Sequence, residues 1–152
     1  MADIVSRVAR GFEEFFKRYR DMGDGTHAEV VAAAGIAPLS TVTGTITSGA
    51  SLSGAIELRT MGTPVALQTD AAWDTNAITF QGSYDGVVYT NLRNMGVEVS
   101  IPGVVASSLE GLDLQQFLGL RFIKVRSGTA AAAVNQVGDT VITLVCGQIW
   151  SA

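Results

Sequence analysis

Ile78-Thr79-Phe80-Gln81-Gly82-Ser83-Tyr84-Asp85-Gly86-Val87-Val88-Tyr89 decides the fold class. Two β-rich runs flank Asp85-Gly86, a pair that tolerates positive φ and so turns a hairpin. The same grammar repeats outward from it. Short apolar or alternating runs at 41–47, 55–58, 64–68, 77–82, 87–92, 97–101, 120–126 and 140–145 are separated by Gly, Asn, Asp and Ser. Eight such strands predict two packed antiparallel sheets, a mainly β sandwich of jelly-roll or immunoglobulin-like type. Ser107–Phe117 reads as a helical turn or a wandering crossover, and Gly49 to Gly54 as a loop.

Upstream of the strands the pattern changes. Ile4, Val8, Phe12, Phe15, Phe16 and Tyr19 recur at three- and four-residue spacing, which predicts an amphipathic helix over 2–20. Asp21-Met22-Gly23-Asp24-Gly25 ends it, and a strand follows near 26–32. The expected organisation is an arm, residues 1–37, and a sandwich body, residues 38–152.

Charge divides the same way. Residues 1–20 hold five basic side chains against three acidic; the remainder holds five basic against eleven acidic. An acidic body does not suit nucleic acid, which needs a clustered basic face. Only 16% of residues are charged and the mean hydropathy is positive, so some apolar surface is expected to be covered by copies of the chain or by a partner. No apolar run approaches the ~18 residues of a membrane-spanning helix. The N-terminus lacks the unbroken apolar stretch of a signal peptide. A soluble, non-secreted protein is the expectation.

Catalytic equipment is sparse. His27 is the one histidine, and no Gly-x-Ser-x-Gly elbow accompanies it. Cys146 follows an apolar strand and reads as a buried, inert thiol. No Gly-x-Gly-x-x-Gly or Walker-type loop occurs. The sharpest chemical hint is Trp73 between Asp70 and Asp74. An indole is a platform for sugars and paired carboxylates serve glycosidases, so these three are the candidate glycan contact. Against that stands a plain reading, in which Trp73 plugs one end of the sandwich. Asp70, Asp74 and Asn76 have oxygens that calcium takes; the Asp21–Gly25 turn resembles a calcium loop faintly, but Gly23 and Gly25 stand where ligands would be wanted. No catalytic residue, cofactor or metal is expected. On strand 120–126, Phe122, Lys124 and Arg126 share one face and Arg121, Ile123 and Val125 the other, a mixed pattern that suggests an edge or an interface. Residues 140–145 are apolar on both faces, as in a central strand.

Two stretches carry a resemblance. Tyr19-Arg20-Asp21-Met22-Gly23-Asp24-Gly25-Thr26-His27-Ala28-Glu29-Val30-Val31 resembles a phrase near the start of small tailed-phage virion proteins. The ordered set Ser53–Leu58, Ala71–Asp74, Ile78–Gly86, Phe122–Thr129 and Thr140–Val145 is similar to phage and prophage structural proteins with a β-sandwich body, of the head-decoration or spike type. Arg59-Thr60-Met61-Gly62-Thr63-Pro64-Val65 departs from that family's aliphatic phrase after the first sandwich strand.

The resemblance implies a non-enzymatic virion structural protein, assembled in the bacterial cytoplasm, that decorates or cements the head by binding the major capsid protein. A tail or baseplate adaptor or receptor-binding module, and a carbohydrate-binding module, are the alternatives. The attachment surface expected is the arm, through Ile4, Val8, Phe12, Phe15, Phe16 and Tyr19 with Arg7 and Arg10. A homo-oligomer is expected, a trimer being one arrangement open to it, with no nucleic acid and no membrane insertion.

Overall fold

A computed structural model describes strands 4–10, 13–21 and 27–30 and the continuous stretch 39–147. The chain divides into two compact units between Gly35 and Ile36. In the first unit, β1 (Ile4–Arg10), β2 (Glu13–Asp21) and β3 (His27–Val30) form an antiparallel meander. The described backbone over 4–10 and 13–21 is strand. Ile4, Val5, Val8, Phe15, Phe16 and Tyr19 are β-branched or aromatic, stiff side chains that suit a pleated strand. The register sets Ile4 opposite Tyr19, Val8 opposite Phe15 and Arg10 opposite Glu13. Residues 1–3 and 11–12 of the expected helix, Phe12 among them, lie outside the described residues, as do all side chains of this stretch.

The second unit is mainly β, with antiparallel sheets. Its strands are β4 (Ser40–Ile46), β5 (Ile56–Glu57), β6 (Thr63–Thr69), β7 (Asn76–Ser83), β8 (Thr90–Asn91), β9 (Arg93–Asn94), β10 (Val97–Glu98), β11 (Ser100–Val104), β12 (Leu109–Gly111), β13 (Phe122–Ser127) and β14 (Thr140–Gly147). One sheet has the order β12-β6-β14-β4, the other β11-β7-β13-β5, with β8 also on β7. From β4 to β7 each strand lies in the sheet opposite to its predecessor's, and β11 to β14 alternate in the same way.

Period-two alternation builds the core. Ile142 and Leu144 of β14, Leu67 of β6 and Ile46 of β4 meet Ile78 and Phe80 of β7 and Ile123 and Val125 of β13 in one buried cluster. Phe80 and Phe117 pack edge to face with centroids 5.0 Å apart. Phe117 is delivered by a 3₁₀ turn, Leu114–Gln116, capped by Asp113, whose carboxylate accepts the Gln115 N–H. The Ser107–Phe117 segment thus combines β12 with a helical turn.

The outer face of the first sheet is set by the same register. Thr41, Thr43 and Thr45 lie beside Val145, Thr143 and Val141; Ala66 and Gln68 come next, then Gly111 and Leu109. The mixed strand β13 is interior, between β7 and β5, so of the two readings, edge or interface, the edge does not hold. Its polar side is covered from above by the 89–98 segment, which explains how Lys124 and Arg126 fit an interior strand.

Candidate functional site

The predicted glycan contact falls on the β6–β7 connection. Asp70 starts the loop: one carboxylate oxygen accepts the Ala72 N–H at 3.0 Å and the other the Val141 N–H at 2.7 Å. This local turn swings Trp73 inward, where it is 3% exposed and donates its indole N–H to the Val104 carbonyl at 3.0 Å. The Asp74 carboxylate accepts the Val137 N–H at 2.8 Å. A buried ring offers no face to a sugar, and both carboxylates are taken up by backbone amides. Trp73, Asp70 and Asp74 are brought together at one end of the body, in the arrangement of an end plug. Among the described residues no three His, Cys, Asp or Glu side chains gather as a metal site.

Gln136 completes this end, a role with no local signal in the sequence. It is 1% exposed. Its side-chain oxygen accepts the Asp74 N–H at 2.9 Å and the Thr140 hydroxyl at 3.2 Å; its amide donates to the Ser127 hydroxyl at 2.7 Å. Its backbone exchanges hydrogen bonds with Gly49 and Ala50. One residue, through side chain and backbone, therefore ties the β4–β5, β6–β7 and β13–β14 connections together. A lone Gln in a polar loop looks like any other until the chain closes around it.

The polar side of β7 and β13 is the second cluster. Arg126 reaches Asn91 at 2.7 Å, Glu98 at 3.3 Å and Thr79 at 3.5 Å. Glu98 also accepts the Ala130 N–H at 2.9 Å. The Lys124 ammonium sits 4.2 Å from the centre of the Tyr89 ring. These contacts pin the 89–98 segment to the sheet and leave the β9–β10 hairpin projecting, with Met95 98% exposed at its tip.

The third feature is a groove of about 300 Å³ beside the β7–β8 loop, lined by Ser83, Tyr84, Asp85, Val88, Thr90 and Leu120 with Gly82. The loop runs from 84 to 89, longer than the two-residue turn expected, because Val87 and Val88 are exposed rather than paired. Asp85 does the turning. One of its oxygens accepts the Val87 and Val88 N–H groups at 2.8 and 2.9 Å and the Ser83 hydroxyl at 2.9 Å. Those donors, the two backbone amides above all, hold its carboxyl below the usual value. Gly86 takes φ +75° in the same turn. Burial first, then the Asp85 charge, push the Tyr89 phenol up. The Tyr89 hydroxyl is buried without a partner among the described residues.

Cys146 is fully buried, and burial pushes its thiol up. The arm residues Ile4, Arg7, Val8, Arg10, Phe15, Phe16 and Tyr19 lie on β1 and β2, with side chains outside the described residues; His27 begins β3. No helix among the described residues is long and apolar enough to cross a membrane. Compared with known proteins, the chain matches no family model, no curated protein and no solved structure.

Proposed function

We propose that this chain is a non-enzymatic structural protein of a tailed-phage virion, a head-decoration or cement protein. In this reading the body at 38–152 is a jelly roll that stands on the shell, and the arm at 1–37 attaches it to the major capsid protein. The observation that carries the reading is where the body spends its polar groups. Asp70 and Asp74, the best candidates for chemistry, accept the Val141 and Val137 amides, and Gln136 ties the same end to the β4–β5 connection. That is how a scaffold is braced. The strand order β12-β6-β14-β4 over β11-β7-β13-β5 supports the jelly roll, a fold that capsid proteins use. The ordered phrases from Tyr19 to Val145 support the virion setting, and the excess of basic charge in residues 1–20 supports attachment to an acidic neighbour.

A particle-binding assay tests the attachment. Full-length chain added to particles lacking it is expected to co-sediment with them, and chain lacking residues 1–37 to stay in solution while remaining folded. Equal binding by both would move attachment to the body.

The groove beside Tyr84 favours one second reading, a receptor- or glycan-binding module of the tail. Tyr84 is 69% exposed at the mouth of a cavity of about 300 Å³. A glycan screen that enriches the wild-type chain and not Tyr84→Ala would support it.

A further inference from the structure

We infer that the outer face of the β12-β6-β14-β4 sheet is a self-association surface, on which two copies of the chain stack face to face about a two-fold axis. The first observation is the absence of charge. Residues 39–147 carry five basic and eight acidic side chains. None of the thirteen occupies an outward register position of these four strands; Glu110 pairs with Leu67 and so shares the inward side. The outer side of the other sheet, by contrast, carries Lys124 and Arg126 with Glu98 above them.

The second observation is what stands there instead. Thr143 at the centre is flanked by Thr43 and Gln68, with Val141 and Leu109 also outward. Leu109 is 65% exposed. Threonine and valine are stiff at χ1 and lose little freedom when covered. The threonine hydroxyls supply donors and acceptors that satisfy one another across a stack.

The occupant follows from charge and area. A two-fold interface sets a surface against itself: residue i meets residue j and j meets i, and groups near the axis meet their own copies, so a surplus of one sign on the face repels itself. In an acidic body, an uncharged face is the one that meets its own copy without repulsion. Four strands at ~4.8 Å spacing and about six residues at ~3.4 Å give a footprint of ~20 by ~20 Å. Stacked, two such faces bury on the order of 1,000 Å², the small end of specific interfaces. The inference concerns this face alone and goes beyond the virion reading; purified chain decides it without any particle.

The test is sedimentation of the full chain over a broad concentration series. Wild type is expected to show a concentration-dependent dimer. Thr143→Lys, and Thr43→Lys on the more exposed β4, each weaken it at least tenfold. A mixture of Thr143→Lys with Thr143→Glu restores a one-to-one heterodimer. Val87→Lys, the same charge change on a loop outside these strands, leaves association unchanged. A wild-type chain that stays monomeric throughout, an oligomer indifferent to both lysine variants, equal weakening by Val87→Lys, or a lysine-sensitive trimer would each overturn the two-fold stack.

Discussion

The indole N–H of Trp73 and the carbonyl of Val104 meet at 3.0 Å, tying the β6–β7 connection to the end of β11. The bond is buried, so losing its donor leaves a carbonyl that water does not reach. Trp73→Phe is expected to destabilise by ~1–3 kcal/mol. Trp73→Ala adds a cavity and is expected to cost ~3–5 kcal/mol. Chemical denaturation reads both; an alanine variant as stable as wild type would contradict the end-plug assignment.

Gln136 predicts a second large effect at a residue with no charge and no catalytic role. Gln136→Leu keeps the volume but strands the Ser127 hydroxyl and the Asp74 N–H. The expected cost is ~2–4 kcal/mol, because each buried polar group left without a partner carries its own desolvation penalty. Denaturation midpoints measure it, and a loss under ~0.5 kcal/mol, the scale of ordinary surface changes, would mean the three loops hold together without it.

The difference between these two residues shows what the sequence could and could not reveal. The strands were legible because their patterns are local: 140–145, apolar on both faces, reads as a central strand, and β14 lies between β6 and β4. The inward turn of Trp73 was not, since Asp70 and Asp74 make the segment look solvated until the distant Val137 and Val141 amides claim their carboxylates. Gln136 depends on partners from four separate segments, a long-range fact with no local signature. At the N-terminus both periodicities are present in one stretch: three- and four-residue spacing favours a helix, while β-branched and aromatic content favours the described strands. Val87 and Val88 read as strand by composition, yet Asp85 draws their amides into a turn.

Asp85 sets a pH prediction. Its carboxyl is held below the usual 3.8 by the Val87 and Val88 amides and the Ser83 hydroxyl. A carboxylate depressed in the folded state stabilises above its unfolded value, and that contribution is lost as pH falls through the lower, folded value. The Val87 and Val88 amide resonances are therefore expected to titrate together below pH 3.8, and to lose that titration in Asp85→Asn. A midpoint at or above the unfolded value would contradict the turn.

Met95 predicts a gain. It holds φ +49° at the tip of the β9–β10 hairpin while 98% exposed. A left-handed conformation costs a side chain such as methionine ~1–2 kcal/mol, a cost that Asn or Gly largely avoids. Met95→Asn is expected to raise stability by ~0.5–1 kcal/mol. A lower denaturation midpoint would show that Met95 makes a contact worth more than its strain.

The most direct measurement of the virion reading is quantitative mass spectrometry of purified virus particles released by the source of the chain, scaled to their major capsid protein. The account predicts a simple ratio to that protein, one to one or one to a few, as a decoration protein on a repeating shell requires. A few copies per particle would place the chain in the tail and turn attention to the groove beside Tyr84. Complete absence from particles would contradict the virion role.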